Sequence, residues 1–468
     1  MYRWCRCAAV VTALALAGCQ PGPLDNAAYP QARPLGERLN AYRPPPPTET
    51  AATVQQEDVA PDPTGELTLR QAMALAVARN PKLKAFGWEV RRAESRALQA
   101  GLWPNPELEI EFENFGGSKQ FEGTQSLETT VSLAQTFPLG GDIERRRDVA
   151  RYATRLAGWD YEAARLEVLT DVTQRYVAVL AAERRVTVAG EALDLAREVQ
   201  TTTGKRIEAG DAPPIEAARA SVPVATAQVA VKRAERQLRA ARKQLALTWA
   251  SDSPTFDALA GSLDDIQPPP AADALVAYVN DSPAVARWAT DISAHRAEAQ
   301  LAEAEAVPDV TGRLGYKHDG ADEAGALVVG ISLPLPIFDR RQGDTLAARL
   351  GATAARQRQR EAELRLESML SESYARLANA YDEAVAIRDV ALPPATESFE
   401  VTRRAFEKGD LTFIDVLDAE RTLVDLRRQH LEALAEYHAA AAEIEGLIGR
   451  PLGQIGDGQT PDKPTESE

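Results

Sequence analysis

Cysteine is nearly absent from this chain of 468 residues: Cys5, Cys7 and Cys19 all fall within the first nineteen positions. The remainder therefore holds neither a disulfide framework nor a cysteine metal site. Histidine is almost as scarce. His295, His318, His430 and His438 include no i, i+4 pair that would set two imidazoles on one metal. A basic excess is missing too, since 53 Lys and Arg face 69 Asp and Glu for a formal charge of −16. Nucleic acid is thereby disfavoured as a partner, because its binding needs a cationic face that releases counterions. No phosphate loop, CxxC, HExxH or serine nucleophile elbow occurs, so the sequence offers no enzyme signature and implies no cofactor. Aromatic residues make up 6%. With alanine, leucine, arginine and glutamate prominent, this is the composition of long helices and coiled coils. After Cys19, no apolar run approaches the roughly twenty residues of a membrane helix. If the mature chain spans a membrane, it must use strands.

The start of the chain is an export signal. Arg3 and Arg6 precede the apolar run from Ala8 to Gly18, which is too short to span a bilayer. The run closes in Leu16-Ala17-Gly18-Cys19, which resembles the bacterial lipobox, with an ordinary cleavable signal as the alternative. The lipobox reading makes 1–18 a signal peptide and Cys19 an acylated N-terminus, a covalent lipid in place of any cofactor. Gln20, where an aspartate would favour retention at the inner membrane, points by the same resemblance to the outer membrane. Residues 19–66 contain Pro44-Pro45-Pro46-Pro47 and little apolar content, and are expected to form an extended, weakly ordered leader.

Two copies of one unit follow. Asn80-Pro81 recurs as Ser282-Pro283 and Asn105-Pro106-Glu107-Leu108 as Val307-Pro308-Asp309-Val310, both 202 positions later, and Ala209-Gly210-Asp211 recurs as Lys408-Gly409-Asp410, 199 later. A near-constant offset at three landmarks marks an internal duplication. The expected organisation is a first repeat over 67–250, a linker over 251–272 containing Pro268-Pro269-Pro270, a second repeat over 273–450 and a polar tail over 451–468. Each repeat reads as helix, strand pair, long helix, long helix.

The strands are expected near 107–115, 126–137, 309–317 and 326–335. In ELEIEFE, Glu107, Glu109, Glu111 and Glu113 alternate with Leu108, Ile110 and Phe112, giving one oily and one acidic face. Val310, Leu314 and Tyr316 alternate with Thr311, Arg313 and Lys317, and Leu327, Val329, Ile331 and Leu333 with Ala326, Val328, Gly330 and Ser332. A water-filled membrane barrel accepts this pattern, apolar toward lipid and polar toward the lumen. Behind each hairpin a proline-containing corner leads into what reads as one helical run to about residue 209 or 408. Some 65 residues at 1.5 Å each make a rod of roughly 100 Å, several times a bilayer's thickness.

Four strands cannot stand alone in hydrocarbon, because two open edges would leave backbone groups unpaired. Further copies of the chain must close the barrel. Two copies give eight strands and a lumen filled by side chains, whereas three give twelve and room for a channel. The four glutamates then face water.

At this point the sequence resembles the TolC-like outer-membrane efflux family over about 67–450. The resemblance implies a mainly helical protein with a membrane β-barrel part: a homotrimer whose twelve-strand barrel continues as a helical periplasmic tunnel. It also implies docking to an inner-membrane RND pump through a periplasmic adaptor protein. GLWPNPELEIEFENFGG at 101–117 with SLAQTFPLGG at 132–141 is similar to the branch that serves heavy-metal efflux. The segment Gly409-Asp410-Leu411-Thr412-Phe413-Ile414-Asp415-Val416-Leu417-Asp418-Ala419 resembles the family's periplasmic aperture, with Asp415 and Asp418 on its aspartate-ring positions. Their i, i+3 spacing allows both carboxylates onto one helix face, and Thr412-x-x-Asp415 is also a capping box. The equivalent positions in the first repeat are Glu216 and Arg219. Leu411 occupies the slot of a family arginine, so that arginine's closing lock does not carry over, and Arg219 is a candidate replacement. A drug-efflux or type I secretion duct of the same fold, and a periplasmic coiled-coil structural lipoprotein, are the alternatives. Strand parity argues against the last.

Overall fold

The computed structural model describes residues 28–45 and 62–455. Cys19 and the expected signal peptide lie outside the described residues, as do 46–61 of the leader and 456–468 of the tail. The chain order is β1 (Gly65–Leu67), α1 (Leu69–Arg79), α2 (Pro81–Ala100), β2 (Glu107–Glu113), β3 (Glu128–Phe137), α3 (Asp142–Ala209), α4 (Ile215–Leu247), β4 (Phe256–Leu259), α5 (Ala272–Val276), α6 (Pro283–Ala304), β5 (Val310–Asp319), β6 (Ala324–Ser332), α7 (Gln342–Ala386), α8 (Leu392–Lys408) and α9 (Phe413–Ile448). Among the described residues no helix is long and apolar enough to cross a membrane.

The two hairpins join into one antiparallel sheet of order β2-β3-β5-β6. Its register aligns the faces that the alternation suggests. Leu108 pairs with Leu133 and Ile110 with Val131; these in turn meet Leu314 and Tyr316, and those meet Val329 and Leu327. A continuous apolar face therefore crosses all four strands. Nothing among the described residues covers it: Leu327, Val329 and Ile331 are 79%, 74% and 79% exposed. The opposite face carries Glu107, Glu109, Glu111 and Glu113 beside Glu128, Lys317 and Arg313. Strands β2 and β6 are left as edges.

Below the sheet, α3 runs unbroken for 68 residues, about 100 Å at 1.5 Å per residue. Its buried positions 161, 165, 168, 172, 176 and 179 recur at three- and four-residue spacing, the stripe of a helix packed along one side. The second repeat departs from the expected single run. Helix α7 ends at Ala386, Ile387–Ala391 forms one wide π turn, and α8 resumes at Leu392. Pro393 and Pro394 lack backbone N–H groups, and the helix accommodates them only where a new first turn begins.

Two further segments differ from the sequence reading. Residues 28–45, expected to be weakly ordered, pack as a strap across α2 and α3. Ala28 and Leu35 are buried with Val77, Leu83, Val90, Tyr161 and Leu169. Arg165 holds the strap by donating to the carbonyls of Leu35 (3.0 Å) and Arg33 (3.2 Å) while pairing with buried Glu162 at 2.7 Å. Glu162 accepts from the Arg33 N–H at 2.7 Å. Gly158 provides the space, since a Cβ there would lie 1.9 Å from the Ala28 carbonyl oxygen. The expected linker is also structured: β4 pairs in parallel with β1, and the Tyr176 hydroxyl donates to the carbonyl of Leu67 or Ala260, at 2.8 and 2.6 Å. Both segments are irregular and held by distant side chains, so neither shows a period.

Arg165→Ala leaves the Glu162 carboxylate buried without its cation, at a cost of about 3–5 kcal/mol. The expected result is a lower unfolding midpoint and proteolysis within 28–45. A variant as resistant as the native chain would show that the strap is held by other contacts.

Candidate functional site: the tip of the helical hairpins

The far end of the rod is built from two equivalent helix endings. Helix α3 stops at Gly210 with φ 82° and α8 at Gly409 with φ 87°. Glycine takes this left-handed conformation without a Cβ clash. In each, the following aspartate N–H caps the helix: Asp211 to Arg206 O at 2.8 Å and Asp410 to Ala405 O at 3.0 Å. The chain then reverses into α4 and α9.

Helix α9 opens with Thr412 as its cap. Asp415 Oδ2 accepts from the Thr412 N–H at 2.9 Å and from its hydroxyl at 2.6 Å. These bonds favour the charged form and hold the Asp415 carboxyl below the usual aspartate range. Asp418 lies one turn further, and both carboxylates are exposed. Beneath them, Phe406 and Phe413 meet edge to face at 6.5 Å. With Phe399, Val416, Leu423, Val199 and Ala220 they form an apolar plug that fixes the hairpin. The structure thus brings Asp415 and Asp418 together on one helix. Glu216, half-buried, and Arg219, exposed, sit in the first two turns of α4. Among the described residues neither forms an ion pair with Asp415 or Asp418 inside one chain.

Two residues at the tip were not singled out from sequence. Arg206 lies over the Phe406 ring at 4.6 Å and donates to the Leu411 carbonyl at 3.3 Å and the Asp211 carbonyl at 3.4 Å. It ties the first repeat's tip to the second, a within-chain clasp at the turn that carries Leu411. Its place in the last turn of α3, where cations complement the helix dipole, was the available signal. The second is Glu420, two residues beyond Asp418 and 6% exposed. Its Oε2 has no hydrogen-bond partner among the described residues. Burial pushes its carboxyl up to about 7, with Arg421 acting weakly against that shift.

The sign of the resulting pH dependence is fixed. The folded chain keeps a proton that the unfolded chain releases from about pH 4.5, the free glutamate value. The contribution of Glu420 to stability is therefore greatest below that pH, falls as pH rises toward about 7 and is level above. The full span is on the order of 3 kcal/mol. Thermal melts at pH 5 and 8 should show this loss in the native chain and its absence in Glu420→Gln. Parallel pH profiles would contradict it.

At the other end, Glu109 is 3.1 Å from Arg313, and Lys317 pairs with Glu128. The second repeat thus supplies cations to the acidic face of the first. Glu107, Glu111 and Glu113 form no ion pair among the described residues and are exposed. Among the described residues no group of three or more His, Cys, Asp or Glu side chains is placed to hold a metal ion.

An open four-stranded sheet with a bare apolar face is thus joined to a rod of roughly 100 Å with exposed carboxylates at its tip. Residues 72–251 and 277–450 match the model of the outer membrane efflux protein family, and the chain belongs to that family. The two matched segments fall on the two repeats.

Among known proteins the chain is 30% identical over 386 residues to the cobalt-zinc-cadmium resistance protein CzcC of Cupriavidus metallidurans, covering 82% of this chain and 91% of that protein. It is 27% identical over 325 residues to the nickel-cobalt-cadmium resistance protein NccC of Alcaligenes xylosoxydans xylosoxydans, covering 69% and 71%. Among solved structures, CusC matches with a TM-score of 0.70 at 16% identity over 88% of this chain and 99% of that one. The outer-membrane channel OprN matches at 0.67 and 17% identity, over 82% and 90%. These two likenesses show the fold.

Proposed function

We propose that three copies of this chain close a twelve-strand barrel and a helical tunnel, forming the outer-membrane exit duct of a tripartite pump that exports heavy-metal cations. One observation carries the reading: the register puts an apolar face, two rows of which run across all four strands, and an acidic face on a sheet whose two edges are unpaired among the described residues. Edge β6 of one copy and β2 of the next supply each other's missing hydrogen bonds. The lumen receives Glu107, Glu109, Glu111 and Glu113, and the tip gathers Asp415 and Asp418 from each copy around the axis. Both rings attract cations by their field and require no binding site, which suits a passive conduit. The relatives named for cobalt, zinc, cadmium and nickel resistance support metal as the cargo.

The tip is the surface offered to a periplasmic adaptor and, through it, to an inner-membrane RND pump. Glu216 and Arg219 of α4 belong to this aperture surface, facing neighbouring copies. Cys19 is the lipid anchor. Ala28 seats against Gly158, sixteen residues along α3 from Asp142, or about 24 Å below the sheet end of the rod. The nine residues from Cys19 to Ala28 reach up to roughly 30 Å, enough to bring an acyl chain to the membrane.

The test is cellular metal content after loading with cobalt, zinc or cadmium. Deleting the chain should raise retained metal, and the native chain supplied in trans should restore export. Unchanged metal with increased retention of an organic dye would contradict metal as cargo and favour a drug duct.

A further inference from the structure

Just below the sheet the surface of this acidic chain turns basic. Helix α3 begins with Arg145, Arg146, Arg147, Arg151 and Arg155. Arg146 pairs with Asp142 at 2.8 Å, and Arg145 and Arg151 share Asp148 at 3.8 and 3.7 Å. Arg155 rests over Tyr152 at 5.5 Å. Across the gap, Arg296 of α6 completes a groove of about 340 Å³ lined by Arg151, Arg155, Arg296, Asp148, Tyr152 and Gln300 among others. Arg155 and Arg296 form no ion pair among the described residues. Three guanidiniums thus face one carboxylate that Arg145 also shares.

Chain position fixes the height of the groove. Helix α3 descends from β3 and α6 climbs to β5. Arg151 is nine residues past Asp142 and Arg296 eight before Ala304, so both lie roughly 12–14 Å from the helix ends under the sheet. Side chains on α3 lean toward its N-terminus, which lifts Arg151 and Arg155 toward the sheet. An exposed apolar collar, Trp103 (59%), Leu139 (59%) and Phe338 (89%), flanks the corners above. Aromatic residues of this kind mark a membrane interface. Because β3 and β5 are the inner strands, the groove sits mid-protomer, away from the edges that join copies. Positions 151, 155, 158 and 162 continue one face of α3. At Gly158 that face carries the strap leading back to Cys19, which makes it the outer side of the tunnel, an assignment that rests on the duct reading.

We propose that this arginine groove seats the phosphate headgroup of an anionic phospholipid in the inner leaflet of the outer membrane. Guanidinium forks match phosphate oxygens in geometry as well as charge, and basic side chains near an anionic leaflet are drawn to it.

The test is native mass spectrometry of the purified full-length oligomer titrated with phosphatidylglycerol or phosphatidylcholine of matched acyl chains. The native protein should retain phosphatidylglycerol at least about tenfold better. Arg151→Gln with Arg296→Gln should abolish that preference at unchanged oligomer mass, whereas Arg236→Gln, an exposed arginine on α4, should preserve it. Equal retention of both lipids by the native protein, or an undiminished preference in the double variant, would overturn the proposal. Displacement of phosphatidylglycerol by inorganic phosphate at similar concentration would also overturn it and assign the groove to free phosphate. Loss of metal export does not bear on this readout, so failure of the duct reading is seen separately.

Discussion

Ile110→Arg is expected to abolish assembly of the membrane part, while Glu111→Arg, one residue on, leaves it nearly intact. Ile110 is the central residue of β2, opposite Val131 on the bare apolar face. Near the bilayer midplane an arginine there costs about 2–4 kcal/mol in each chain. In a trimer the three penalties act on one closure equilibrium. Glu111 lies opposite Thr130, which is followed across the sheet by Lys317. In the proposed barrel an arginine at 111 faces lumen water, where Lys317 and Arg313 repel it only at a distance. Semi-native electrophoresis of the detergent-extracted protein reads the oligomer directly. Equal impairment by the two substitutions would contradict the assignment of faces.

The second large effect is expected at the aperture. Asp415→Asn with Asp418→Asn should strip the tip of its cation preference and of block by divalent ions in planar bilayers. Asparagine is the better probe than alanine at 415. Its side-chain oxygen can still accept from the Thr412 N–H, so the charge is lost without the cap, whose removal costs about 0.5–2 kcal/mol. Neither residue contributes to the buried cluster of Phe406, Phe413 and Val416. Assembly should therefore survive, and the permeability ratio of cation to anion should fall toward unity. An unchanged ratio would move the filter to Glu107, Glu109, Glu111 and Glu113.

What the sequence made legible was whatever is periodic or local. The strands begin and end within three residues of the alternation that foretold them, the largest difference being β6, which ends at Ser332 rather than near 335, because one oily face leaves little freedom to slip register. The equivalent helix endings at Gly210 and Gly409 were legible because each turn needs a left-handed residue. Asp415 was legible as a cap because its partner Thr412 is three residues away. The strap and β4 were not, since their partners, Arg165 and Tyr176, are distant in sequence and the segments have no period. Arg206 and Glu420 required the packed tip to be seen. An arginine four residues before a glycine, or a glutamate in a helix, looks solvated until its neighbours are in place. The break at Pro393-Pro394 was legible in the sequence, since proline lacks the N–H of a helix interior, but the expected single run to about 408 passed over it.

The half-open sheet needs further copies of the same chain to complete it, and the mass of the native assembly tests this most directly. Native mass spectrometry of the detergent-solubilised protein should give three times the mass of the mature chain, with each chain starting at an acylated Cys19. A monomer or a dimer would contradict the twelve-strand duct, because four or eight of these strands leave no open water-filled lumen for the acidic face.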